Sequence, residues 1–285
     1  MKFATKALHA GIEPDPTTGA IMTPIFQTST YVQEYPGVHK GYAYARGKNP
    51  TRTQLENNLA ALENGQHALC FSSGMGAVDA VIKLLKPGDE VITGDDIYGG
   101  SYRMFSKIYE PFGIKFHYID LYDAENIKSY INANTKLIWA ETPTNPTMQI
   151  IDIAACAQIA KENNLLLAVD NTFASPYLQN PLALGADIVM HSVTKYLGGH
   201  SDVVMGALIT NNHELFKKAR LFGRQGLIRA EADFKLQVDG PWHQEVHNFG
   251  LNYRLPDILC AIGISQLESL NEFKLERKRV FSQYH

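Results

Sequence analysis

From Thr51 onward, apolar positions along the chain follow two alternating rhythms. Short runs rich in Val, Ile, Leu and Ala read as buried strands, and between them apolar residues recur at helical spacing. The predicted strands cover residues 68–71, 90–93, 115–119, 136–140, 165–169, 187–191 and 204–210. The predicted helices cover 51–64, 76–85, 101–112, 124–131 and 151–163, the last with Ile153, Ala157 and Ala160 on one side and an Asn163-Asn164 pair suited to its C-cap. Another helix follows Leu215, and a long one opens at Asp257 after Pro256, with Leu259, Ile262, Leu267, Leu270 and Phe273 along one side. Such alternation predicts an α/β fold: a mostly parallel seven-stranded sheet with helices on both faces. Residues 1–50, rich in Gly, Pro, Thr and Tyr, lack this periodicity and read as an extended arm over the body or a neighbouring subunit. The expected organisation is an arm at 1–50, a large domain at 51–225 and a partial C-terminal segment at 226–285, where a small domain is incomplete.

Composition narrows the functional classes. Of the 285 residues, 45% are hydrophobic and 19% charged, a balance that suits a globular protein with a sizeable core. The net charge of -3 gives no basic footprint for nucleic acid or an anionic membrane. No apolar run reaches the roughly 18 residues that span a bilayer, and the opening MKFATKALHAG lacks the apolar core of a secretory signal, so a cytoplasmic location is expected. Cys70, Cys156 and Cys260 lie far apart in apolar settings, as buried thiols in a reducing compartment do.

In open α/β sheets ligands sit beyond the carboxyl ends of the strands, so polar clusters immediately after predicted strands are the first candidates. Four occur: Ser72 to Gly76, Asp95 to Gly100, Asp170-Asn171-Thr172, and Ser192 to Lys195. The first joins a strand to a helix whose opening N–H groups could cradle a phosphate, although an ordinary strand-to-helix turn uses the same residues. Asp170 ends the run LLLAVD, where a buried carboxylate needs a cationic partner. A protonated pyridine nitrogen is one such partner, and a helix N-cap is the structural alternative. Lys195 follows DIVMHS directly; desolvated there, it would be a nucleophile for an aldehyde and a base for a Cα proton, whereas most lysines are merely solvated. Two other patterns carry less. His243 and His247 stand four apart, without a third zinc ligand, and the adjacent His200, Ser201 and Asp202 are placed unlike a hydrolase triad.

Taken together, these residues resemble the cystathionine γ-synthase family, the pyridoxal phosphate (PLP) enzymes of cysteine and methionine metabolism. The likeness spans about residues 5–212 in five segments. They are Tyr44 to Thr51, Ser72 to Met75, Glu141 to Pro146, Asp170 to Pro176, and His191 to Asp202. The resemblance implies the aspartate-aminotransferase-like fold, fold type I of the PLP-dependent transferases. It also implies roles: Lys195 carrying PLP as an imine, Asp170 facing the pyridinium nitrogen, and Gly74, Met75, Ser192 and Thr194 on the phosphate. Tyr98 would stack on the ring, Thr172 would stand beside it, and Asn145 would bond the cofactor's 3′-oxygen or the substrate carboxylate. Tyr44 and Arg46 would reach the phosphate in a partner subunit, giving a homodimer or homotetramer with shared sites. The implied chemistry is β- or γ-elimination, or γ-replacement, on a sulfur-containing or homoserine-derived amino acid, with Lys195 as base and Tyr98 or Tyr44 assisting proton transfer.

Beyond about residue 212 no match is found to the family's C-terminal domain, which supplies an arginine for the substrate carboxylate. Residues 213–285, with Leu221 to Gly226 and Asn248 to Ile258, resemble instead the DegT/DnrJ-type sugar-nucleotide aminotransferases, in which the asparagine at position 252 would contact a neighbour's cofactor phosphate. The alternatives are therefore an aminotransferase acting on a sugar nucleotide, or a chimeric PLP-binding protein with little activity.

Overall fold

Why the strands form a sheet buried on both sides is visible in the alternation of their side chains. The computed structural model describes residues 2–284. In chain order it comprises α1 (Phe3–His9), α2 (Pro50–Leu62), β1 (His67–Phe71), α3 (Gly74–Ile82), β2 (Glu90–Gly94), α4 (Gly99–Met104), β3 (Lys115–Ile119), β4 (Thr135–Glu141) and α5 (Ile153–Glu162). There follow β5 (Leu166–Asp170), α6 (Ser175–Leu178), β6 (Ile188–Ser192), β7 (Gly206–Thr210), α7 (His213–Gly223), β8 (Leu227–Ile228), β9 (Glu245–Val246), α8 (Asp257–Glu268) and α9 (Leu270–Tyr284). The main sheet has seven strands in the order β1-β7-β6-β5-β4-β2-β3. Neighbours from β6 to β3 run parallel, and β7 is antiparallel to both β1 and β6.

Successive side chains of a strand point to opposite faces. Leu137 and Trp139 of β4, Leu69 and Phe71 of β1 and Met190 of β6 enter one core, with Phe105 and Phe222. Ile138 and Ala140 of β4 enter a second core with Ile159 of α5 and Leu167 of β5. Val189 and Ile209 enter a third, built with Leu55 and Leu59 of α2 and with Ile264 and Leu267 of α8. The seven expected strands all form, most within a residue or two of their expected ends.

Elsewhere the structure corrects the sequence expectation. The arm is not wholly extended: α1 docks on α2, where Asn58 Nδ2 donates to the carbonyls of Ala7 (3.1 Å) and Ala10 (2.8 Å). That partner is about fifty residues away, beyond any local pattern. The helix expected at 101–112 divides into α4 and one π-helical turn, Phe105–Tyr109, while Ala124–Tyr130 is a 3-10 helix. The long C-terminal helix breaks at Ser269, the C-cap of α8. Past the break, α9 brings Phe273 edge-on to the His200 ring (4.2 Å) and Lys274 over the Tyr177 ring (3.4 Å). The strand expected from position 204 begins only at Gly206.

Candidate active site

The parallel strands deliver their carboxyl ends to one edge of the sheet, and antiparallel β7 starts there. Gly206 lies in register with both Phe71 and Ser192, and Glu141 with Asp170. A cavity of about 420 Å³ opens at this edge, within the range that takes a small-molecule cofactor. It is lined by Gly74, Met75, Tyr98, Asn145, Asp170, Thr172, Ser192, Thr194 and Lys195, nine of the eleven residues expected from sequence.

One wall is the start of α3. Ser73 is its N-cap, accepting from the Gly76 amide through Oγ at 3.0 Å, so the helix opens into the cavity with a positive dipole end. Two glycines permit this. A Cβ on Gly74 would stand 2.8 Å from Ser192 Oγ, and one on Gly206 only 2.2 Å from the Ser73 carbonyl oxygen. Ser192 faces this helix start, whereas the Thr194 hydroxyl also donates to the Met205 carbonyl at 3.2 Å.

The opposite wall carries the acids. Asp170 is 5% exposed and so is Glu141. The Thr172 hydroxyl donates to Asp170 Oδ1 at 2.5 Å and accepts from the Ser192 amide at 2.8 Å, tying two strand tips together. The Thr172 amide donates to the same Oδ1 at 3.0 Å, so Asp170 is no helix cap and its other oxygen is left for a ligand. Beneath lies a buried network: His191 Nε2 is 2.5 Å from Glu63 Oε1, and Asn171 Nδ2 donates to that oxygen at 2.8 Å.

Burial pushes both cavity carboxyls up. For Asp170 the hydrogen bonds from Thr172 and the nearby His191 oppose the rise, and for Glu141 the charge of Asp170 adds to it, bringing Glu141 to about 9. The Tyr98 amide donates to Glu141 Oε2 at 2.7 Å, which holds Tyr98 over the cavity. Glu141 was legible only as part of a motif; its position at the tip of the strand beside Asp170 is the signal that marks it.

One expectation is changed. Lys195 is exposed on the cavity wall rather than desolvated, because it sits on the turn after β6, its amide bonded to the Ser192 carbonyl at 3.1 Å. Tyr44 and Arg46, expected at a partner subunit's phosphate, do not line this chain's own cavity: Tyr44 is bridged to Thr30 in the arm, and the Arg46 guanidinium lies 5.0 Å from the Tyr44 ring centre. His200 meets Gln266 of α8. His243 and His247 both meet the carboxylate of Glu245. Cys70, Cys156 and Cys260 are buried free thiols.

The donor set fits PLP part by part: a helix N-terminus with hydroxyls for the phosphate, a buried carboxylate for the ring nitrogen and an accessible amine for the aldehyde. Among the described residues, no Lys, Arg or His stands within ion-pair distance of Asp170 or Glu141, so a cationic ring nitrogen matches what Asp170 lacks within the chain.

A seven-stranded, mostly parallel sheet with this site at its carboxyl edge defines the class of PLP-dependent enzymes of fold type I. Solved relatives share it. Corynebacterium glutamicum metB superposes with a TM-score of 0.84 at 40% identity, over 95% of this chain and 64% of that one. Cystathionine gamma-lyase from Lactobacillus plantarum, complexed with L-serine, gives 0.83 at 38% identity, over the same shares. The profile of the Cys/Met metabolism PLP-dependent enzymes matches residues 4–236, further than the expected limit near 212, and the chain belongs to that family. A probable cystathionine gamma-synthase of Herpetosiphon aurantiacus is 54% identical over 218 residues, 76% of this chain and 68% of the relative. A cystathionine beta-lyase of Coxiella burnetii is 49% identical over 239 residues, 83% of this chain and 62% of the relative. The chain thus spans about two thirds of the length of these relatives. No helix among the described residues is long and apolar enough to cross a membrane.

Proposed function

We propose that this protein is a cytoplasmic trans-sulfuration-type enzyme that performs β- or γ-elimination, or γ-replacement, on a sulfur-containing or homoserine-derived amino acid. The observation that carries the reading is that Lys195 and Asp170 line one cavity with a phosphate-accepting helix start. Bound there, PLP supplies a sink for the electrons left when the substrate's Cα–H bond breaks. Asp170 holds the proton on the ring nitrogen, oriented by Thr172. Gly74, Met75, Ser192 and Thr194 seat the phosphate, and Asn145 anchors the cofactor's 3′-oxygen or the substrate carboxylate. The Lys195 amine takes the Cα proton, and Tyr98, placed at the cavity by Glu141, passes a proton to the leaving group. Tyr44 and Arg46 complete the phosphate site of a partner subunit, so the working unit is a homodimer or homotetramer.

Purified protein should be yellow, and cystathionine should change its visible absorption and release a keto acid and ammonia. Lys195→Ala should lose the colour and the turnover together. Wild-type protein that shows no visible absorption band, even after incubation with PLP and removal of the excess, overturns the reading.

A second reading is supported by the position of the tail. The Tyr253 carbonyl accepts from the Ser72 amide at 2.8 Å, and Arg254 bridges Phe71, so the Asn252-Tyr253-Arg254 segment adjoins the phosphate wall. This would suit the likeness to sugar-nucleotide aminotransferases expected for the tail, of which residues 213–236 fall within the Cys/Met family profile. Amino transfer from glutamate to a keto-sugar nucleotide, without release of ammonia from cystathionine, would select it.

A further inference from the structure

Apart from the cofactor cavity, α7 and the β8–β9 hairpin enclose a second cavity, of about 540 Å³, that shares no lining residue with the first. Its walls carry Lys217, Lys218, Arg220, Arg224 and Arg229. Arg46 lines it as well, but its proposed place is at a partner subunit's cofactor phosphate, which leaves these five wall cations without it. Two acids, Glu214 and Asp233, also line the cavity, and both face Lys217 at 3.8 Å. Among the described residues, that leaves four wall cations without a carboxylate within ion-pair reach. Behind Arg220 and Arg224 the balance does not reverse: Glu56 and Asp257 are engaged by the buried Arg52, at 3.9 and 3.8 Å, and Arg254 adds another positive charge.

A half-buried guanidinium with no anion beside it is costly, and a concave wall of like charges focuses the field into its mouth. Burial presses the Arg224 guanidinium from its usual range down to about 9; Glu56 opposes this, and Arg220, Arg52 and Arg254 add to it. Arginine forks also match the paired oxygens of phosphate better than a single charge does. Beside the cations, Phe216, Leu221 and Ile228 give the cavity an apolar flank.

From this arrangement we infer that the cavity between α7 and the β8–β9 hairpin binds a small polyanion bearing two or more phosphoryl charges, separately from the cofactor site. The test is calorimetric titration of the PLP-loaded protein, so that the cofactor's own phosphate site is already filled, with inorganic pyrophosphate and with ADP. Pyrophosphate should bind saturably and lose affinity steeply between low and physiological salt. Equal binding of ADP shows that the phosphoryl groups alone are recognised, and tighter binding shows that the apolar flank contributes; both support the inference. The doubly substituted Lys217→Ser, Arg229→Ser protein changes only the cavity wall, and frees Glu214 and Asp233 to repel the ligand. It should keep the melting temperature and cofactor colour of the parent while weakening both ligands at least tenfold. Absence of saturable pyrophosphate binding at low salt, or an unchanged affinity in the double variant, overturns the inference.

Discussion

Asp170 and Glu141 end adjacent parallel strands with both carboxyls out of water, and the environment separates their roles. Burial raises both, but two hydrogen bonds from Thr172 and the neighbouring His191 oppose the rise at Asp170, whereas the charge of Asp170 adds to it at Glu141, which is pushed up to about 9. The raised Glu141 group gives the cofactor-free protein a definite pH dependence. Folding retains a proton that the unfolded chain releases, so this stabilisation is complete below about 4.5 and is lost as the pH climbs toward about 9. Glu141→Gln should therefore flatten the fall in melting temperature across that window and raise the midpoint at pH 8 by several degrees, at about 2–4 °C for each kcal/mol of the linkage. Thermal melts from pH 5 to 9 read this directly, and a variant that tracks the parent would refute it. Asp170→Asn should keep the fold but lower turnover by about 10² or more, since an amide cannot hold the ring nitrogen charged. At this scale the chain was largely legible: Lys195 and Asp170 stand out because each follows an apolar strand run. Glu141 was not, because its meaning comes from the register of β4 against β5, a relation between residues about thirty apart.

The phosphate wall shows how one helix is made both stable and receptive. Ser73 satisfies one opening amide of α3 and leaves others pointing into the cavity. Ser73→Ala should cost about 1 kcal/mol of stability, read by denaturant unfolding, and weaken cofactor binding as well. Gly206→Ala is more severe. Its methyl would press on the Ser73 carbonyl, which is backbone and cannot rotate away, so a loss of about 1–3 kcal/mol and a weakened cofactor affinity are expected. Unaltered stability in the Gly206→Ala variant would show that β7 and the α3 turn are less tightly apposed than this contact requires. Helix boundaries were the least legible feature. The break at Ser269 is set by α8 settling on α2 while α9 reaches His200 and Tyr177, and no local breaker such as Pro or Gly stands at that position.

For the molecule as a whole, the separation of Tyr44 and Arg46 from the Lys195 cavity has a measurable counterpart. If those residues serve a partner subunit, mixing inactive Arg46→Ala chains with inactive Lys195→Ala chains should restore activity to about a quarter of the parent level, because half of the random dimers then hold one intact site of two. No recovery after unfolding and co-refolding would place Arg46 in the same chain's site as Lys195 and overturn the shared site. Arg52, 1% exposed and facing the half-buried Asp257 of α8, ties the early chain to its tail; Arg52→Met should destabilise the fold by about 1–3 kcal/mol by removing the cation beside that acid. Period-two alternation, apolar runs and strand-end polar clusters are local properties, so the sequence by itself determined the seven strands, the α/β class, the phosphate turn and the pair of Lys195 and Asp170. Tertiary structure alone decided strand order and register, the protonation of Glu141 beside Asp170, the exposure of Lys195 and the gathering of arginines around α7. Each of those depends on distances between groups remote in the chain, and spacing along a sequence does not encode such distances.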